Sequence, residues 1–119
     1  MNAGMIASMA QVLEYDTERD DDGAVVRIRG DLDMSGTLRL EQELTRLIER
    51  DHVGRLTLDL SGVRFIDSTG LGLVINTEQA ARQDGIALEL VPASREVHRV
   101  FEMVGLADVL PFTGTPADG

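Results

Sequence analysis

Near the middle of the chain a serine stands between an acid and two glycines, in the run Asp67-Ser68-Thr69-Gly70-Leu71-Gly72. A strand-like segment precedes it and helical apolar spacing follows, so Ser68 falls at a helix start. Unpaired backbone N–H groups and the positive end of the helix dipole gather there. A phosphate on Ser68 would add about 1.5 to 2 negative charges and three acceptor oxygens, at a place where a helix tolerates them. Gly70 and Gly72 keep the first turn bare, which would let another protein approach closely. Glycine inside a helix costs about 1 kcal/mol relative to alanine, so two of them need a compensating reason. A plainer reading uses the same residues: Asp67 or Ser68 is an N-cap, and the glycines allow tight packing of helix on sheet. Local chemistry accommodates both.

Composition removes several other chemistries. The 119-residue chain suits one domain and carries a formal net charge of -10. That balance disfavours nucleic acid and anionic membrane surfaces, and favours either a basic protein partner or plain solubility. There is no cysteine, hence no disulfide or thiolate metal site. All eleven basic residues are arginine. Without lysine there is no Walker A loop, Schiff base or Ser-Lys pair. His52 and His98 lie far apart in sequence and suggest no metal site, and no cofactor is implied. No stretch approaches the ~20 apolar residues of a membrane span, and residues 1–10 lack the basic start of a signal peptide. The expectation is a soluble cytoplasmic protein without catalysis of its own.

The elements that must position Ser68 follow from periodicity. Gln11–Glu18 and Ala24–Gly30 alternate as strands around the turn Asp20–Gly23 and predict a hairpin. Asp33 or Ser35 then offers an N-cap to a helix whose apolar face uses Leu38, Leu40, Leu44, Leu47 and Ile48. Arg55–Leu60 is a strand and Ser61–Asp67 a short connection. The second helix runs from Ser68 or Thr69 to Gln83, with Leu71, Val74, Ile75 and Ala81 inward. Ile86–Val91 is a strand. Ser94–Met103 is a third helix with Val97, Val100, Phe101 and Val104 on one face, and Gly105 is its C-cap. Val109–Phe112 is a short last strand. The order β-β-α-β-α-β-α-β predicts a mixed sheet with helices packed on it, an α/β chain of the α+β type. Residues 1–10 and 113–119 read as flexible tails around a domain at 11–112.

From about Val25 to Phe112 the chain resembles the STAS domain family, specifically the bacterial anti-sigma factor antagonists. Three ordered stretches carry the likeness. Gly30-Asp31-Leu32-Asp33 matches the family's G-x-L-D before its first helix. Leu58-Asp59-Leu60, followed by FIDSTGLG from Phe65 to Gly72, matches its central strand and phosphoacceptor loop. VHRVFEMVGL from Val97 to Leu106 matches its late helix and the turn after it. The resemblance implies partner switching. An anti-sigma factor that is also an ATP-using serine kinase would phosphorylate Ser68. The unphosphorylated antagonist would bind that anti-sigma factor and free the sigma factor, and a serine phosphatase would reset the switch. Asp33, Asp67, Thr69, Gly70 and Gly72 would face the partner. Two departures stand out: Thr113–Gly119 is short and rich in Gly and Pro, so the family's C-terminal helix is expected to be missing or truncated, and Thr69 stands where many members have a second serine, making it an alternative acceptor.

Other readings are weighed beside this one. Asp33 is a partner contact or a helix cap, and Asp67 orients the Ser68 hydroxyl or caps the helix. Asp59 faces solvent or accepts a hydrogen bond from within its strand. His98 is expected at the surface and His52 in a solvated loop. A hydrolase built on Ser68 lacks the G-x-S-x-G elbow. A receiver domain phosphorylated on aspartate would need a lysine beside its acids. A STAS module acting as a non-switching binding subunit, on a transporter ATPase or in a stressosome-like assembly, remains open.

Overall fold

The computed structural model describes residues 12–116, so the expected tail at 1–10 lies outside the described residues, as do 117–119. The elements in chain order are β1 (Glu14–Arg19), β2 (Gly23–Leu32), α1 (Thr37–Thr45), which runs on into a π-helical stretch at Arg46–Arg50, then β3 (Arg55–Ile66), α2 (Ser68–Gln83), β4 (Ala87–Val91) and α3 (Arg95–Met103). The sheet order is β1-β2-β3-β4. β1 runs antiparallel to β2, while β2–β3 and β3–β4 are parallel. This is the mixed sheet with three helices that the element order predicts.

Alternation along β2 and β3 divides the sheet into two faces. Ala24, Val26, Ile28 and Leu32 point inward from β2, and Leu56, Leu58 and Leu60 from β3. Leu40 and Leu44 of α1, Leu73 and Val74 of α2, and Val97 and Phe101 of α3 complete the same core. Each such side chain contributes roughly 1.5–3 kcal/mol by leaving water. The other face is polar. Arg27 pairs with Glu18 at 2.7 Å and Arg29 with Asp16 at 2.6 Å, all exposed. Such pairs contribute about 0–1 kcal/mol each, and they keep the open face soluble more than they hold the fold.

The turn between β1 and β2 is made by Asp20, whose carboxylate accepts from the Asp22 and Gly23 N–H groups at 2.9 and 2.7 Å. β1 is also tied to α1. The Thr17 hydroxyl donates to Glu43 at 2.7 Å, and Arg46 reaches Glu43 and Asp51 at 2.8 Å. Partial burial pushes the Glu43 carboxyl up, but the Thr17 and Arg46 hydrogen bonds outweigh it and hold the group below its ordinary value.

Several expectations need correction. Ser61–Asp67 is not a connection: β3 continues through it to Ile66, with register shifts against β2 between Arg27 and Arg29 and between Gly30 and Asp31. The first shift has a local cause. The Asp59 carboxylate accepts from both the Ser61 N–H and hydroxyl, at 3.0 and 2.7 Å, which draws the chain out of its ladder. Neither Asp33 nor Ser35 caps α1; Gly36 is the N-cap and makes no side-chain bond. Because the helix starts at Thr37, Leu38 in its first turn stays exposed, as does Val104 just past the end of α3. His98 is 6% exposed rather than at the surface, its ring edge-on to Phe112 at 4.6 Å and its Nδ1 without a hydrogen-bond partner.

The chain after α3 is held more simply than a strand would hold it. Ser94 caps the start of α3 by accepting from the Val97 N–H at 3.4 Å. Gly105, at φ +78°, ends it as expected: its N–H bonds to Glu102 O, and Leu106 N–H to Phe101 O, the paired C-terminal bonds of a Schellman turn. The anticipated strand Val109–Phe112 reduces to one parallel bridge between Leu90 and Phe112. Thr113 N–H still bonds to Leu90 O at 2.9 Å. No helix follows α3 among the described residues.

Candidate functional site

β2 and β3 are parallel neighbours that end level, Leu32 opposite Ile66. The residues that follow each strand are therefore set side by side at the carboxyl edge of the sheet. Asp67 N–H donates to Leu32 O at 3.4 Å and joins the two exits. Asp33–Gly36 leads into α1 and Asp67 leads into α2. In open parallel sheets, this edge is where ligands and partners meet the fold.

The start of α2 shows which residue caps the helix. Asp67 is the N-cap, in extended conformation, and its Oδ1 accepts from the Gly70 N–H at 3.0 Å. Leu71 N–H bonds to Asp67 O at 2.9 Å and begins the helical ladder. Ser68 is thus the first helical residue, not the cap. It is exposed, and among the described residues its hydroxyl makes no hydrogen bond. Thr69 beside it is exposed as well. Asp67 is not bonded to the Ser68 hydroxyl; its carboxylate is engaged on the helix.

The two glycines part company. Gly70 is buried, and a Cβ on it would fall inside the van der Waals shell of the Leu32 carbonyl oxygen, 2.8 Å from Ile66 Cγ1 and 3.0 Å from Leu32 Cγ. Its missing side chain is used within the molecule, to seat α2 on the end of β2. Gly72 is half-exposed, and a Cβ there would meet nothing within 4 Å. It leaves open surface one residue past Leu71.

Asp33 closes a tight turn of its own: the Ser35 N–H and hydroxyl donate to its Oδ1 at 3.1 and 2.7 Å, and Gly36 N–H to its carbonyl at 3.3 Å. Its loop follows Leu32, whose carbonyl accepts from the Asp67 N–H. Asp33→Ala is expected to weaken partner docking several-fold while the domain stays folded, since the turn it closes is at the surface. Titration calorimetry with circular dichroism checks both halves; unchanged affinity would leave Asp33 a turn residue only.

The periodic reading of the chain did not single out Met34 and Phe65 as surface residues. Both are large, apolar and exposed, and both flank these loops. The sequence signal for Phe65 was hidden by the bulges of β3, which turn Arg64 and Phe65 outward in succession and break simple alternation.

With this geometry the comparisons agree. The sequence pattern of the STAS domain matches residues 14–119. The chain belongs to the STAS domain family. Among its relatives, the anti-sigma-B factor antagonist of Staphylococcus aureus is 33% identical over 98 residues, covering 82% of this chain and 90% of that one. The crystal structure of an anti-sigma factor antagonist from Mycobacterium paratuberculosis superposes with a TM-score of 0.75 at 27% identity, over 87% of this chain and 86% of that one. The Bacillus cell fate determinant SpoIIAA in its phosphorylated form shares the fold, with a TM-score of 0.67 at 20% identity, over 85% and 92% of the two chains. These relatives are regulatory proteins by name, and no helix among the described residues here is long and apolar enough to cross a membrane.

Proposed function

We propose that this chain is an anti-sigma factor antagonist switched by phosphorylation of Ser68. Unphosphorylated, it binds an anti-sigma factor that is also an ATP-dependent serine kinase, and a sigma factor is released. Phosphorylated, it lets go, and a serine phosphatase restores the binding form. The observation that carries the reading is the division of labour at the start of α2. Asp67 supplies the cap, so the exposed Ser68 hydroxyl has no structural duty and is open to a kinase. A helix start accepts the added charge, so the fold survives modification and the change is confined to the docking face. The existence of a phosphorylated form of the structural relative SpoIIAA is in keeping with this.

The test is direct. Incubated with ATP and the anti-sigma factor kinase of the same organism, the protein is expected to gain the mass of one phosphate, and fragmentation should place it on Ser68. Ser68→Ala should gain nothing. Unchanged mass of the natural chain would overturn the reading; phosphate on Thr69 instead would move the acceptor by one residue.

A further inference from the structure

The chain enters its first strand past an apolar patch that the core leaves in solvent. Val12, Met34 and Leu38 are large, apolar and exposed by 74%, 77% and 64%. One contact draws them together. Leu13 lies against Gly36: the position a Gly36 Cβ would take is 2.8 Å from Leu13 Cβ and 3.0 Å from its Cδ2. Val12 adjoins Leu13, and Met34 and Leu38 each stand two residues from Gly36, so all three lie within ~7 Å of that contact along the backbone. At the same place is a hollow of about 280 Å³, lined by Val12, Leu13, Tyr15, Asp33, Gly36 and Arg39 among others. Apolar side chains grouped in this way mark a surface that something covers. The segment joined directly to it is residues 1–11, MNAGMIASMAQ, which hold no charged side chain in a chain that is 27% charged. They can therefore approach this acidic molecule without repulsion. They carry Ile6 and three of the five methionines, the side chain best able to fill an irregular hollow. Eleven residues reach up to ~40 Å, so length does not limit the contact. A tether this short gives an effective concentration on the order of millimolar, at which even a weak apolar contact is populated. A second copy is a poorer occupant, because each copy carries a net charge of -10 and Glu14 and Asp16 follow within four residues of Val12.

We infer that residues 1–11 pack over Val12, Met34 and Leu38 as an intramolecular cover, and that in this position they screen the Asp33 turn from the protein's partner. The screening half rests on the switch reading above; the cover itself does not. A protein whose docking face is open only part of the time binds with its affinity reduced by that fraction. The cover thus sets how tightly the unphosphorylated chain binds, while a phosphate on Ser68 acts at the start of α2, on another element. The two controls are separable by substitution.

The chain has no cysteine, so Ser8→Cys takes a single nitroxide label in the whole protein. The amide NMR signals of Met34 and Leu38 are expected to broaden, while those of Met103 and Val109, equally exposed apolar residues at and beyond the end of α3, stay sharp. Ile6→Ser combined with Met9→Ser in the same labelled chain should remove most of the broadening, since it deletes the apolar contact without adding charge. Equal broadening in both would mean that the segment only diffuses past the patch, and would overturn the inference. Broadening that appears instead in an unlabelled, isotope-enriched copy mixed with labelled chain would assign the patch to a second copy and overturn it too. Calorimetry against the anti-sigma factor of the same organism reads the screening. The unlabelled Ile6→Ser, Met9→Ser chain is expected to bind about threefold to tenfold tighter than the natural one. Unchanged affinity beside intact broadening overturns the screening half. If neither chain binds, the switch reading fails, while the cover, read by NMR alone, stands or falls on its own signals.

Discussion

Ser68→Glu is expected to weaken binding of the anti-sigma factor by about tenfold or more while leaving the domain at least as stable as before. The two halves have separate causes. A carboxylate in the first turn of α2 meets the positive end of a 16-residue helix, which is favourable by about 0.3–1 kcal/mol. The Asp67 carboxylate, already bonded to the Gly70 N–H, takes back part of that gain by like-charge repulsion. At the interface the same charge has no such compensation. It sits among Asp33 and Asp67, which would already be facing the partner, and a misplaced charge at a docking rim costs on the order of 1–2 kcal/mol, a factor of roughly 5–30. A phosphoserine carries up to twice the charge and should act more strongly. Ser68→Ala should bind like the unmodified protein and stay bound in the presence of kinase and ATP. Thermal melts alongside calorimetry separate the effects: lost affinity with a raised or unchanged Tm is expected, whereas lost affinity with a lowered Tm would mean that Ser68 supports the fold.

That separation between fold and signal explains what could be read from the chain and what could not. Features carried by one residue and its immediate neighbours were legible. Asp20 in its turn and Gly105 ending α3 act through bonds two to five residues long. The junction at Ser68 was legible for the same reason, and the ordered motifs around it pointed to the STAS fold. Features set by distant partners were not. β3 reads as ending at Leu60 because Ser61-Gly62 resembles a turn, yet pairing with β2 carries it on to Ile66. Asp33 has the chemistry of a cap, but its carboxylate is taken by Ser35 two residues on, and α1 starts later. His98 looks like a surface residue on an amphipathic helix until Phe112, fourteen positions away, folds back over it. Local bonding leaves its mark in adjacent letters; packing across the sheet does not.

The sharpest test of how the site is held lies at Gly70. Gly70→Ala is expected to destabilise the domain by about 1–3 kcal/mol, lowering Tm by roughly 5–12 °C, and to impair docking as well. Alanine is ordinarily the better helix former by about 1 kcal/mol, so the sign itself is informative. The added methyl would meet the Leu32 carbonyl oxygen, a backbone atom that cannot swing aside, with Ile66 and Leu32 side chains closing in behind it. Relief requires α2 to lift from the end of β2. That movement would strain the Asp67 N–H to Leu32 O bond linking the two loops and shift Ser68 relative to Asp33. Gly72→Ala, two residues along the same helix, is the control. Nothing stands within 4 Å of its Cβ position, so it should gain up to about 1 kcal/mol. Opposite signs in thermal melts of the two variants would establish that Gly70 serves the helix–sheet seat and that Gly72 does not. A Gly70→Ala protein as stable as the natural chain would mean that α2 does not sit against Leu32 as described. A stabilised Gly72→Ala that binds its partner more weakly would place Gly72, rather than Gly70, on the docking face, where an open surface one residue past Leu71 would admit the other protein.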